Sequence, residues 1–237
     1  MYNILIIMIK DNVLKIKERI AIICTKIKQD PGLITIVAVS KGRTIQQIRE
    51  AIEAGITDIG ENRVQEALLK YNVIRTTQYA PHIKWHMVGH LQTNKVKDAV
   101  RIFDLIQSMD SIHLASEMDK EATKINKIQD ILVEVKVSPE ATKFGFEPEE
   151  VIKATKEISQ FKNLNIKGLM TIAPLADNPE KARPYFKMLR ELMDGINESR
   201  ITNHESRILS MGMTDDFEAA IEEGSNMIRL GRAIFEG

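Results

Sequence analysis

Lys41 ends the run "ITIVAVSK", seven uncharged residues followed by a basic one, and a helical pattern begins a few residues later. An apolar run of that length reads as a strand buried on both faces. The lysine is in phase with Thr35, Val37 and Val39, so apolar neighbours lie below it. Desolvation there disfavours the ammonium and leaves a nucleophilic amine, whose reaction is Schiff-base formation with an aldehyde. The alternative is a lysine that snorkels to solvent from a strand end.

Two later segments supply the complementary chemistry. In "SMGMTDDFEAAI" (210–221), a short loop carries Gly212 and a helix starts at about Thr214. In "IRLGRAIF" (228–235), Gly231 permits close backbone approach and Arg232 adds charge. Free N–H groups and helix dipoles after two neighbouring strands can hold a phosphate. Asp215 and Asp216 oppose an anion unless their carboxylates turn aside to cap the helix. A lysine facing a phosphate cup is what pyridoxal 5′-phosphate (PLP) requires. Arg229 sits inside an apolar strand, where a guanidinium needs a partner. It either pairs with a carboxylate such as Glu134 or faces the pyridine nitrogen of the cofactor.

The elements that would position these groups recur regularly. Strand patterns fall at 34–40, 56–60, 83–88, 104–109, 131–137, 166–172, 207–211 and 227–231. Between them lie amphipathic helices, clearest over 181–196, with others at 45–52 and after 214. Eight strand–helix units in 237 residues are the count of a single (β/α)8 TIM barrel, with an extra N-terminal helix at about 11–29. An open doubly wound sheet has the same alternation, but no Gly-rich phosphate fingerprint follows the first strand. Residues 1–10 read as an N-terminal extension, disordered or with little structural role, and 11–237 as the barrel.

At these residues the sequence resembles the pyridoxal phosphate homeostasis proteins, a family similar in fold to the N-terminal barrel of alanine racemase. The resemblance is carried by "VAVSK", "IGENRVQEA", "IKWHMVGHLQTNK", "SMD", "KFG", "GLMTIAP", "SMGMTDDFEAAIEEGS" and "IRLGRAIF", in that order over about 34–235. It implies that PLP is held as a Schiff base on Lys41. Ser210, Gly212, Thr214 and Gly231 would line the phosphate, Met211 would pack near the ring, Arg229 would face the pyridine nitrogen and Asn62 would sit near the imine. Arg232 stands where threonine is also common and adds a charged contact. The resemblance also implies a carrier or regulator of intracellular PLP without dedicated turnover, with apo PLP-dependent enzymes as recipients. The competing function is an amino-acid racemase of the alanine racemase type. Such an enzyme needs an acid/base on each face of the substrate, and Tyr2, Tyr71, Tyr79 and Tyr185 are not at matching strand ends.

Other residues read more plainly. Lys143 of "KFG" is either a second amine for transferring the aldehyde or a solvated loop lysine. His86 and His90 are four apart; on a strand that is ~13 Å, too far to share a metal, and packing is the expected role. Glu61 reads as a helix N-terminal charge rather than an acid catalyst. With 33 basic and 33 acidic residues, nothing favours nucleic acid or an anionic membrane. "ILIIMI" is far shorter than the ~20 residues a membrane span needs. The single cysteine, Cys24, fits a reducing cytoplasm, and a self-contained barrel implies a monomer.

Overall fold

The structure, a computed structural model, describes residues 2–138, 144–201 and 207–236. Eight parallel strands close into a barrel in sequence order. They are β1 (Thr35–Val39), β2 (Asp58–Glu61), β3 (Lys84–Met87), β4 (Leu105–Met109), β5 (Gln129–Glu134), β6 (Leu164–Met170), β7 (Ile208–Ser210) and β8 (Met227–Leu230). β8 returns to β1 with Thr35 opposite Met227 and Val37 opposite Arg229. Around them lie α1 (Tyr2–Ile27), α2 (Ile45–Glu53), α3 (Val64–Ile74), α4 (Val96–Ile102), α5 (Ile112–Lys124), α6 (Val151–Ile158), α7 (Arg183–Glu198), α8 (Phe217–Glu222) and α9 (Arg232–Phe235).

Strand alternation divides the apolar side chains into two sets. Val37, Val88, Leu105, Leu132, Met170 and Met227 form an inner cluster, and the larger cluster lies between the strands and the helices. Ile9, Val13, Ile16, Ile20 and Ile23 bury one face of α1 at helical spacing. That helix packs against α2, α8 and α9, and Asn12 Nδ2 donates to the Ile234 carbonyl at 3.1 Å. The boundary expected after residue 10 therefore falls inside a helix, because its apolar stripe begins before Asp11. Among the described residues, no helix is long and apolar enough to cross a membrane.

β1 stops at Val39 because a turn and a well-capped helix follow. Gly42 takes φ +69°, a conformation suited to glycine. Thr44 Oγ1 then accepts from Gln47 N at 3.2 Å, while Gln47 Oε1 accepts from Thr44 N at 3.0 Å. This reciprocal capping box starts α2 and leaves Lys41 at the C-terminal rim of the barrel.

Candidate functional site

Lys41 is framed by charge. Ser40, just before it, is wholly buried. Its hydroxyl donates to Glu61 Oε1, and its carbonyl accepts from Lys70 Nζ at 2.6 Å. Lys70 also bonds Glu61 Oε1 at 2.6 Å and Glu66 Oε1 at 2.7 Å. Just after Lys41, Gly42 N donates to Glu66 Oε1 at 2.7 Å. The residues on either side of Lys41 are thus tied to one Glu61–Lys70–Glu66 cluster under the strand ends. Burial pushes the Glu61 carboxyl up, outweighing the hydrogen bonds from Lys70 and Ser40. Burial acts the same way on Glu66, but there the bonds from Lys70 and the Gly42 amide win and hold it below the usual carboxylate range. Glu61, expected to be a helix N-terminal charge, is instead a fully buried member of this cluster.

Lys41 itself is exposed, not dry as the sequence suggested. β1 ends two residues earlier, and the side chain stands in the turn above the apolar interior.

Beneath the rim, a chain of hydrogen bonds crosses the barrel. Arg229 Nη1 donates to Ser210 Oγ at 2.6 Å, and Ser210 donates to Gln107 Oε1 at 2.6 Å. Gln107 Nε2 meets His86 Nδ1 at 2.9 Å, and His86 Nε2 meets Asp58 Oδ1 at 3.0 Å. The amide can only donate from Nε2, so His86 accepts on Nδ1 and donates from Nε2. Every proton therefore points from Arg229 toward Asp58. Arg229 Nη2 also donates to the Thr171 carbonyl at 2.7 Å. Burial lowers the guanidinium to about 10, partly offset by the Glu134 and Asp216 carboxylates. It remains a cation at neutral pH, held in place by polar residues from five other strands or their ends.

Two adjoining cavities share a wall at the C-terminal end of the barrel. The larger, about 490 Å³, is lined by Lys41, Asn62, Arg63, Met87, His90 and Lys95, among others. The smaller, about 270 Å³, shares Asn62, Gly89 and His90 and adds Glu134, Phe144 and Ile172. Asn62 Oδ1 is buried in the shared wall with no hydrogen-bond partner among the described residues. Such an atom is costly unless something binds it. Among the described residues, no tyrosine lines either cavity. Among the described residues, no cluster of three or more His, Cys, Asp or Glu is arranged to hold a metal.

Of the residues expected at the site, Lys41 and Asn62 share the larger cavity and Arg229 lies inside the barrel. The remaining candidates after β7 and β8 do not line these two cavities. Ser210 is fully buried, and its hydroxyl is engaged by Arg229 and Gln107, so it orients the guanidinium rather than facing a phosphate. Met211 belongs to the core between strands and helices, because it points opposite to Ser210. Gly212 allows α8 to pack closely: a Cβ there would lie 2.6 Å from the Ala220 Cβ. Thr214 Oγ1 accepts from Ala233 N at 3.3 Å, bridging the β7 and β8 loops, and Gly231 leaves ordinary clearance to Val39. Arg232 is paired with Asp215 at the surface. Asp216 turns its carboxylate to Met213 N at 2.6 Å, so both acidic groups of the "DD" pair are engaged. Lys143 lies outside the described residues.

The sequence reading did not anticipate the Lys70 cluster, the interior relay or the surroundings of His90. The i, i+4 spacing of Glu66 and Lys70 and a polar residue in each of several inward-facing strand positions were the available signals.

Comparison with known proteins adds three findings. The family profile described as "Alanine racemase, N-terminal domain" matches residues 11–237. The pyridoxal phosphate homeostasis protein of Aquifex aeolicus is 41% identical over 93% of this chain and 94% of that protein. PipY of Synechococcus elongatus, solved with PLP bound, is 34% identical with a TM-score of 0.80, covering 93% of this chain and 99% of PipY. An alanine racemase of Clostridium difficile reaches a TM-score of 0.72 at 16% identity, with 94% of this chain matching 56% of the racemase; at that identity the likeness is one of fold.

Proposed function

We propose, on the premise that this chain belongs to the pyridoxal phosphate homeostasis family, that it holds PLP at the barrel rim as an intracellular carrier or regulator. The observation that carries this reading is that Lys41 and Asn62 line one cavity of about 490 Å³ at the C-terminal end of the barrel. The donor set fits the group. There is a primary amine for the aldehyde, a buried amide oxygen without a partner, and a buried guanidinium for the ring end.

PLP supplies, when bound, an aldehyde that amines capture reversibly. Lys41 provides the amine, positioned by the cluster that grips Ser40 and Gly42. Arg229, a fixed cation, would face the pyridine nitrogen and keep it unprotonated, which would curb carbanion chemistry. Thr214 and Gly231, where the β7 and β8 loops meet, would hold the phosphate.

The rim is open and Lys41 is exposed, which suits a group that must be released as well as held. The racemase reading would need an acid/base on each face of the substrate, and the homeostasis naming of the relatives favours the carrier reading. The protein would act as a monomer in the cytoplasm and deliver cofactor to apo PLP-dependent enzymes. Mixing the loaded protein with an apo PLP enzyme should activate it differently from an equal concentration of free PLP. Racemisation of alanine at enzymic rates, about 1–10³ s⁻¹, would overturn the carrier reading.

A further inference from the structure

His90 was expected to be a packing residue, and the structure places it elsewhere. It follows β3 and lines both mouth cavities, next to Asn62 and, in the larger one, Lys41. Its Nδ1 lies 2.8 Å from Asp110 Oδ2, and the Asp110 side chain is only 8% exposed. Its ring stacks on Phe144, with centroids 3.6 Å apart and planes within 10°. Gly89 locks the preceding backbone against the Asn62 loop, since a Cβ there would lie 2.6 Å from the Asn62 carbonyl oxygen.

The imidazole is therefore held in three ways: by a carboxylate on one nitrogen, by a ring on one face and by a backbone contact behind it. His86 differs, because both of its nitrogens are engaged inside the barrel. A carboxylate at Nδ1 fixes the proton on that nitrogen and leaves Nε2 as the basic one. Nε2 of His90 has no hydrogen-bond partner among the described residues.

We infer that the His90–Asp110 pair is the general acid–base that loads and unloads the aldehyde at Lys41. The inference rests on the PLP-binding reading above. Condensation of a primary amine with an aldehyde forms one C=N bond and releases one water. The amine nitrogen gives up two protons, and the carbonyl oxygen leaves carrying both. Neither an oxidant nor a reductant is needed. A single imidazole that accepts a proton from nitrogen and returns it to the departing oxygen ends unchanged. Reversal uses the same group, so it speeds release as much as capture. The other charged groups around this imidazole are Lys41, Arg63 and Lys95 in the larger cavity and Glu134 and Lys136 in the smaller. Asp110 is the carboxylate bonded to it.

The test follows PLP capture by the purified protein with rapid mixing and borohydride quenching, and release by dilution. His90→Gln should slow capture and release by a similar factor, on the order of 100-fold. His90→Gly should regain speed when free imidazole is added, and Asp110→Asn, which loosens the ring, should slow capture and release together. Unchanged rates in His90→Gln, with wild-type protein capturing PLP, overturn this inference alone. So does a change in release without a matching change in capture, which is the mark of a structural role. No capture by wild-type protein at all overturns the binding reading and this inference with it.

Discussion

Replacing Lys70 with methionine removes the one cation that Glu61 touches among the described residues. Lys70 Nζ makes three contacts of 2.6–2.7 Å, to Glu61, Glu66 and the Ser40 carbonyl. Glu66 is partly exposed and rehydrates at small cost. Glu61 is fully buried and cannot. Breaking a buried pair from one side costs about 3–5 kcal/mol, but protonation of Glu61 sets a ceiling. Neutralising a carboxyl of ordinary pKa 4.5 costs about 3.4 kcal/mol at pH 7 and about 1.4 kcal/mol at pH 5.5. The sign follows from linkage. A carboxyl whose folded pKa is raised binds more protons folded than unfolded, so its stabilising contribution is present at low pH and is lost as pH rises through the folded pKa. Lys70→Met should therefore lose about 3 kcal/mol at pH 7 and less than half of that at pH 5.5, measured by urea unfolding. Adding Glu61→Gln should flatten the pH dependence. A defect of the same size at both pH values, or one below about 1 kcal/mol at pH 7, would refute the reasoning. Because the cluster grips both neighbours of Lys41, PLP occupancy should fall alongside stability.

Three further outcomes are expected. Burial works against ionised Asp58, but hydrogen bonds from His86 and Thr57 outweigh it and hold the carboxyl below its ordinary value of 3.8. Its contribution is present above that value and is lost as pH falls through the lower folded pKa, so Asp58→Asn should flatten the acid limb of an unfolding curve. An unchanged acid limb contradicts the relay's geometry. Gly168→Ala would put a Cβ 2.0 Å from the Ile208 carbonyl oxygen and should prevent soluble expression, because the backbones of β6 and β7 must separate. Gly195→Ala, in α7 with its nearest neighbour at 3.7 Å, should instead stabilise by roughly 0.5–1 kcal/mol in thermal unfolding.

The strands were legible because burial writes them into sequence. Each of the eight patterns falls on an observed strand, with the largest shifts at β5 and β6, where a register irregularity lies between Ile131 and Leu132. Helix starts were less legible. The segment after 214 becomes helical only at Phe217, because the Asp216 carboxylate bonds back to Met213 N and holds a turn. The strand-1 lysine could be placed at the rim from phase alone, but its exposure could not. Exposure depends on where the turn begins, and that is set by Gly42 and the cap at Thr44. The interior relay joins residues 58, 86, 107, 210 and 229, and no local periodicity connects positions so far apart. The surroundings of His90 were hidden for the same reason: its partners, Asp110 and Phe144, come from other loops.

The central claim is that Lys41 is the amine that captures PLP. Borohydride reduction of the PLP-loaded protein, followed by peptide mass spectrometry, tests it most directly. The label should fall on the peptide carrying Lys41 and vanish in Lys41→Ala. A label on another lysine, or undiminished labelling of Lys41→Ala, contradicts it.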